Sequence, residues 1–251
     1  MNNNSETTTS AWTGLYKLAG TSALLMVAIV IIQLIVFIIA PQPLDGTAID
    51  WFMLFQKNVL IGLIDFELLM IIYVIISVPI ALSLYILLRR VNPSWTAVYL
   101  VLGLIGVMCF IAARPAFEML SLSNGYATAG TDVERAMFLA AGEAKLSTFH
   151  GTAFHISYIL GSISGLIISL VMLRANIFSK ATAYIRIASS AFDFGLYVPV
   201  IGVYIAVFSV LFLSVWNIMI ARRLFQLAKE TSKEKPNQID RGLLAAPDHS
   251  H

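Results

Sequence analysis

The stretch Leu18–Ala40, LAGTSALLMVAIVIIQLIVFIIA, decides the class of this protein. It carries no charged side chain, and a helix needs ~20 apolar residues to cross the hydrocarbon core of a bilayer. It also exceeds the ~7–15-residue core of a cleavable signal peptide, and Ile38–Ala40 is a poor small-x-small cleavage site. We therefore expect a helix that is retained and spans the membrane.

The composition of the whole chain agrees with this expectation. Of its 251 residues, 59% are hydrophobic and only 12% are charged, whereas soluble domains carry roughly 25% charged residues. The net charge of +2 gives no reason to expect a nucleic-acid partner. Cys109 is the only cysteine, so an intramolecular disulfide is excluded. The sequence predicts an all-α, polytopic membrane protein that uses no cofactor.

Further apolar segments can be matched to membrane spans in the same way. Four of them are long and apolar enough, and a fifth, Ala181–Tyr197, is weaker because it contains Arg186 and Asp193. Counting it gives six predicted spans, at residues 18–40, 59–88, 95–113, 152–173, 181–197 and 198–220.

Basic residues decide between five and six spans. With six, the basic groups beside the spans fall on one side of the membrane, which the positive-inside rule makes cytoplasmic, whereas five spans would divide them between the two faces. These groups are Lys17, Arg89, Arg90, Arg174, Lys180, Arg222, Arg223, Lys229, Lys233 and Lys235. We therefore predict a six-helix bundle in the plasma membrane with both termini in the cytoplasm.

Local signals divide the chain further. Residues 1–16 are predicted to be disordered, residues 17–225 to form the membrane domain, and residues 226–251 to be a polar cytoplasmic tail, irregular from about Thr231. Thr131–Glu134 reads as a capping box, which predicts an extra outer-loop helix from about Asp132 before the fourth span. Pro79 is expected to kink the second span.

Two span ends resemble a known family. One is Leu84–Arg90, LYILLRR, followed by Asn92-Pro93 and a new span, and the other is Trp216–Arg223, WNIMIARR, which closes the last span. With the six-span layout, they resemble the bacterial multi-pass membrane family called domain of unknown function 4386, over roughly residues 15–225. The resemblance implies the architecture. Since that family has no established activity, it assigns no functional residue.

Polar residues inside membrane segments are costly and therefore informative. Counting 1.5 Å per residue from the basic end of each span places several of them in the outer half of the bundle. We predict that five of them form a ligand-binding cluster: Asp65, Arg114, Glu118, His150 and Asp193. The simplest partner for Arg114 is Glu118, four residues later. Asp193 should find its partner on another helix, because Arg186 could reach it only through an intermediary.

The fourth span carries a ladder of small residues at every fourth position, which allows close helix packing. The ladder is Ser157, Gly161, Gly165 and Ser169. If one helix continued from Glu143 into this span, His150 would share the ladder face and look into the bundle. His150 and His155 lie about 140° apart on such a helix, so no metal site is predicted.

Three functions fit these features. The favoured one is non-enzymatic binding, sensing or transport of a small or lipidic ligand through an outward-facing polar cavity. The alternative is a structural subunit that forms a homo-oligomer through the fourth span. The third is a membrane-embedded hydrolase using His150, Asp65 and Asp193, although the sequence has no HExxH, GxSxG or paired-aspartate motif.

Overall fold

The computed structural model describes residues 12–43 and 46–244, and this part of the chain is all-α, as predicted. Eleven α-helices follow one another within it, with a short 3-10 turn at Gly195–Tyr197 before the last. The helices are α1 (Thr13–Ile39), α2 (Ala48–Lys57), α3 (Val59–Asp65), α4 (Leu68–Ile76), α5 (Val78–Leu88), α6 (Pro93–Ala112), α7 (Ala116–Thr128), α8 (Asp132–Phe149), α9 (Thr152–Arg174), α10 (Lys180–Phe194) and α11 (Gly202–Leu244).

Five helical stretches in the described residues are long and apolar enough to cross a membrane, so the chain is a multi-span membrane protein. They are Thr13–Ile39, Leu68–Leu88, Pro93–Thr128, Asp132–Arg174 and Tyr204–Ser232. The predicted fifth span is present as α10, but its 15 residues make it about 22 Å long, shorter than the ~30 Å hydrocarbon core. Length and hydropathy therefore give five spans where the sequence predicted six.

The long helices form a bundle with an apolar core. Helix α6 packs against α9, α10 lies against both α9 and α11, and α1 packs against α11 and α5. Helices α1 and α11 approach closely at Gly20, where a Cβ atom would stand 3.0 Å from the Phe225 ring. The most buried large side chains of this core are Tyr16, Leu84, Leu88, Ile168, Met172, Ile220 and Leu224.

Helices α2, α3, α7 and α8 form a second unit, here called the cap. Its core is aromatic: the Phe66 ring lies 4.8 Å from the Trp51 ring and 4.6 Å from the Phe149 ring, centroid to centroid. Glu143 accepts a 2.7 Å hydrogen bond from the Ala48 backbone N–H at the start of α2. The sequence predicted one helix here, α8, and its capping box is confirmed, but the cap contains three more.

Two helix breaks shape the bundle. The second span is interrupted at Ser77, two residues before Pro79, because proline has no N–H to continue the helical ladder, and the Ser77 hydroxyl donates to the Val74 carbonyl at 2.7 Å. The chain also breaks between Phe149 and Thr152, where α8 ends and α9 begins. The expected continuous helix through Glu143 and Ser157 is therefore wrong.

The chain ends differ from the predicted irregular segments where the structure describes them. Helix α1 begins at Thr13, inside the segment 1–16, and α11 continues to Leu244. The rest of the predicted disordered start and the last seven residues, 245–251, lie outside the described residues.

Candidate ligand cavity

Arg114 follows the end of α6 and is the most enclosed cation of the predicted cluster. Its guanidinium pairs with the Glu67 carboxylate at 2.5 Å and donates to the Phe149 carbonyl at 2.7 Å. It also lies over three aromatic rings, those of Phe110, Phe149 and Phe154, at 4.5, 4.3 and 4.9 Å. These contacts pair its charge within the protein. We therefore interpret Arg114 as a residue that stabilises the fold.

The predicted Arg114–Glu118 pair is wrong. Glu118 is exposed on α7, because the chain turns at Pro115 between α6 and α7 and the two residues do not share one helix. Glu67 is the ion-pair partner of Arg114 instead. It lies in the left-handed region, with φ 62°, at the turn between α3 and α4.

His150 also differs from its predicted position. It lies in the break between α8 and α9 and is exposed, so it does not share the inward face of the small-residue ladder. Its ring contacts the rings of Phe149 and Phe154, with centroids 4.7 and 5.6 Å away, and it lies within electrostatic range of Arg114 and Glu67. His150 and Arg114 are therefore neighbours.

Asp65 ends α3, in the cap and outside the spanning stretch Leu68–Leu88. It is 0% exposed, and neither carboxylate oxygen has a hydrogen-bond partner among the described residues. Burial raises its pKa to about 6, because the charged form is poorly solvated there. Its backbone carbonyl accepts from the Gln42 amide, and Gln33 donates to the preceding carbonyl of Ile64 at 3.1 Å.

The fifth residue of the predicted cluster, Asp193, lies elsewhere, at the wall of a cavity inside the bundle. The cavity has a volume of about 310 Å³ and is lined by residues of α1, α4, α5, α6, α9, α10 and α11 and of the Ser77 break. Most of its lining is apolar. Its polar lining includes Tyr73, Tyr99, Tyr158, Arg186, Asp193, Trp216 and Asn217. The predicted cluster is thus not one site, and only Asp193 belongs to this cavity.

Arg186 is the cation of the cavity. Its guanidinium donates to the Ser189 hydroxyl at 3.2 Å and lies 5.6 Å from the centroid of the Trp216 ring. Among the described residues no carboxylate lies within 4.0 Å of it. A guanidinium has five N–H donors, so most of the donors of Arg186 are not used by protein groups in the described part of the chain.

Asp193 is held by hydroxyl groups. The Ser209 hydroxyl of α11 donates to its carboxylate, and Tyr158 of α9 lies within side-chain hydrogen-bond range. Ser209 lies 3.3 Å from Ser189, oxygen to oxygen, and Ser189 contacts Arg186. The expected partner on another helix is therefore confirmed, and two serines form the intermediary between Arg186 and Asp193.

Two further polar atoms of the cavity wall are buried and have no partner among the described residues: the indole Nε1 of Trp216 and the amide Oδ1 of Asn217. Tyr73 lies within hydrogen-bond range of the Asn217 side chain. Buried polar atoms in native structures are nearly always hydrogen-bonded. Two of the residues that line the cavity therefore carry a polar atom that is unpaired within the described part of the chain.

The small-residue ladder of α9 lies against other helices of the same chain. A Cβ atom at Gly165 would stand 2.5 Å from the Arg186 guanidinium, so a larger residue here would require the Arg186 side chain to shift. At Gly161, which lines the cavity, an added Cβ would meet nothing within 4 Å. Ser157 also lines the cavity, and Ser169 donates to the Gly165 carbonyl at 2.6 Å.

Most of the polar groups of the cavity were not predicted from the sequence. Arg186 was expected only as a charge in the weak fifth span, and Trp216 and Asn217 appeared only in the span end that resembles the family. Trp216 and Asn217 are instead buried at the cavity wall. The available signal was Arg186 itself, since an arginine inside a span normally faces the protein interior or a cavity.

Among the described residues, no group of three or more His, Cys, Asp or Glu side chains could hold a metal ion. The arrangement around the cavity is instead one of hydrogen bonding: a cation, a carboxylate, hydroxyls, an indole and an amide on an apolar wall. Such a lining can orient a bound molecule by its polar end.

Comparison with known proteins supports the resemblance seen in the span ends. A family model described as "Domain of unknown function (DUF4386)" matches residues 18–229. No curated protein and no solved structure matches the chain. Since the family model covers all five spanning stretches except the first residues of α1 and the end of the last, the chain belongs to the DUF4386 family.

Proposed function

We propose that this protein binds a small amphipathic molecule in the bundle cavity, with an acceptor or anionic group at Arg186. The observation that carries the proposal is the Arg186 guanidinium, which uses one donor among the described residues and lies on the wall of a mainly apolar cavity. Trp216 and Asn217 line the same mainly apolar space. A bound molecule would pair with the unused donors of Arg186 and fill this space.

The charges of the cavity indicate which chemical group of the ligand each charged residue binds. Asp193 already accepts from hydroxyl groups, whereas Arg186 uses one donor and has no close carboxylate in the described chain. The cation is therefore the less satisfied charge. The cavity volume of about 310 Å³ lies at the lower end of ligand pockets, which favours a small ligand with a short apolar part.

Binding or sensing fits the cavity better than transport. Below the cavity, on the side of Arg89 and Arg223, the core is closed by side chains with 0% exposure. They are Leu84, Leu88, Ile220 and Leu224. A transported polar ligand would need polar groups along this route, and the side chains that close it are aliphatic.

We further propose that α10 crosses the membrane as a sixth span. At one end of α10, Arg223 donates to the Ile177 carbonyl at 2.7 Å, and at the other end Gly195 lies against Ile205. Residues 205 and 223 are about 27 Å apart along α11 at 1.5 Å per residue. Helix α10 and its flanking turns therefore run beside α11 over nearly the whole ~30 Å thickness of a hydrocarbon core.

The same packing supports a topology in which both chain termini lie on the same face of the membrane. Gly20 near the start of α1 packs against Phe225 near the inner end of α11, and Tyr16 lies within electrostatic range of Arg89 and Arg90. Basic groups thus gather at one end of the bundle. Under the positive-inside rule, we propose that this end is cytoplasmic and that the protein lies in the plasma membrane.

The ligand proposal can be tested with three matched probes: decanoate, decanol and decylamine. Thermal unfolding of the purified protein should be measured with each probe in a fixed detergent. We expect decanoate to raise Tm most, because its carboxylate can pair with Arg186, and Arg186→Gln should abolish the difference between decanoate and decanol. Equal shifts for all three probes, or an Arg186→Gln protein that still prefers decanoate, would reject the proposal.

A further inference from the structure

A second concave site lies outside the bundle cavity, between the start of α6 and the end of α9. It is a groove of about 210 Å³ lined by Asn92, Trp95, Ile167, Leu170, Val171 and Arg174. Trp95 and Leu170 are 54% and 57% exposed, so the groove opens on the outer surface of the bundle. None of its lining residues belongs to the cavity at Arg186.

The polar end of the groove offers hydrogen-bond donors. Arg174 has neither a hydrogen bond nor an ion pair with any described residue. The Asn92 side-chain Oδ1 accepts from the Trp95 backbone N–H at 3.1 Å, which leaves the Asn92 side-chain N–H groups and the Trp95 indole N–H as donors. Within the described part of the chain, no acidic side chain lines the groove. This end is therefore complementary to an anion.

The other wall of the groove is aliphatic. Ile167, Leu170 and Val171 lie on α9, within the two turns that precede Arg174, so a chain lying along them would run from the basic end toward the middle of the span. Tryptophan is typical of the interface between headgroups and acyl chains. An anion-binding end joined to an apolar wall at this depth matches the two parts of one lipid molecule.

We infer that this groove binds an anionic phospholipid, with its phosphate at Arg174, Asn92 and Trp95 and an acyl chain along Ile167, Leu170 and Val171. Arginine is well suited to phosphate because its planar fork presents paired donors. Basic pockets beside membrane helices on the cytoplasmic side favour anionic headgroups over zwitterionic ones. The inference does not depend on the ligand proposed for the bundle cavity.

Native mass spectrometry of the full-length protein in detergent can test the inference. The protein should be titrated with dioleoyl phosphatidylglycerol and, separately, with dioleoyl phosphatidylcholine. We expect phosphatidylglycerol to bind more tightly, and Arg174→Gln to weaken its first binding step by about fivefold while leaving phosphatidylcholine unchanged. Trp95→Phe keeps the ring and removes the indole N–H, and should weaken phosphatidylglycerol binding by a smaller factor.

Arg135→Gln is the matched control, because Arg135 is an exposed arginine of the cap and removing it changes the net charge equally. Its phosphatidylglycerol affinity should equal that of the unmodified protein. An unchanged affinity in Arg174→Gln, or an equal loss in Arg135→Gln, would show that the lipid binds by general charge and not in the groove. Since Arg174 is exposed and contacts no described side chain by hydrogen bond or ion pair, Arg174→Gln should fold normally.

Discussion

Arg114 and Glu67 form an ion pair across 47 residues of sequence, with 1% and 21% of their side chains exposed. Glu67 stands at the start of α4 in the second span, and Arg114 follows α6 in the third. Through the Phe149 carbonyl, the same guanidinium also reaches the end of α8 in the cap. One side chain therefore joins two spans of the bundle to the cap.

Glu67→Gln should destabilise the protein. The change leaves a buried guanidinium without its counter-charge, and an uncompensated buried charge is costly. Because Glu67 is partly exposed and glutamine can still accept one hydrogen bond, we expect a loss of about 1–3 kcal/mol in the free energy of unfolding. Thermal unfolding in a fixed detergent would measure it as a lower Tm.

Glu118→Gln is the control for this variant, since Glu118 lies four residues from Arg114 but is exposed. Its Tm should match that of the unmodified protein at low and high salt. A larger decrease in Tm for Glu118→Gln than for Glu67→Gln would mean that Arg114 pairs with Glu118, contrary to the structure.

Asp65→Asn should raise stability at neutral pH. The folded-state pKa of Asp65, about 6, is above its ordinary value of 3.8, so the folded protein binds a proton more tightly than the unfolded chain does. Stability linked to this group is then fully present below pH 3.8 and is lost as pH rises through 6. At pH 8 the neutral asparagine should be more stable than aspartate by at most about 3 kcal/mol.

The measurement for Asp65 is Tm from pH 4 to pH 8 for both proteins. We expect the two curves to converge at pH 4, to separate between pH 4 and pH 6 and to stay apart above pH 6, with Asp65→Asn higher. Parallel curves over the whole range, or a lower Tm for Asp65→Asn at pH 8, would show that the carboxylate is ionised and well solvated in the folded protein.

Much of the helical architecture could be predicted from the sequence, because apolar run length and capping are local properties. Leu18–Ala40 and the capping box at Thr131 identify helices without any knowledge of their neighbours. The pairing of Arg114 with Glu67 could not be predicted in this way. It depends on a turn at Pro115, which takes Glu118 off the helix that precedes Arg114, and on the left-handed conformation of Glu67.

The number of spans can be tested by cysteine labelling. In a Cys109→Ala background, single cysteines at exposed positions 176, 197 and 226 should be treated with a membrane-impermeant maleimide in intact cells and in opened membranes. With six spans, Asn176→Cys and Gln226→Cys should react only in opened membranes, and Tyr197→Cys in intact cells. With five spans, Asn176→Cys and Tyr197→Cys would share one face and Gln226→Cys would lie on the other.

Gly165→Ala should lower the free energy of unfolding more than Gly161→Ala, although both residues belong to the ladder of α9. At Gly165 the methyl group overlaps the Arg186 guanidinium, and overpacking of this kind costs about 1–3 kcal/mol. At Gly161 it enters the open cavity, so stability should be unchanged or slightly higher, because alanine favours helix more than glycine.

Tm and the oligomeric state in detergent should be measured for both ladder variants. If the ladder is an internal packing surface, Gly165→Ala should lower Tm without changing the mass of the particle. If the ladder instead forms a homo-oligomer, either variant should dissociate it while the monomer keeps its Tm. Equal Tm losses at the two positions would contradict the different surroundings of the two glycines.

The cavity could be predicted only in part. An arginine and an aspartate inside a weak span indicated that a polar feature was present. Its position depends on contacts between distant segments, such as Ser189 with Ser209 and Arg186 with Gly165, which no periodicity in the chain reveals. Outward depth alone grouped Asp65, Arg114, Glu118, His150 and Asp193, although only Arg114 and His150 are neighbours and Asp193 lies at the separate bundle cavity.

The most direct measurement of the central claim is the dissociation constant of decanoate for the unmodified protein, Gly161→Leu and Gly14→Leu. Both glycines lie in span helices with open space at the Cβ position, but only Gly161 lines the cavity. Filling the cavity should weaken decanoate binding by tenfold or more in Gly161→Leu, while Gly14→Leu binds as the unmodified protein does. Equal affinity of all three proteins would contradict a ligand site in the bundle cavity.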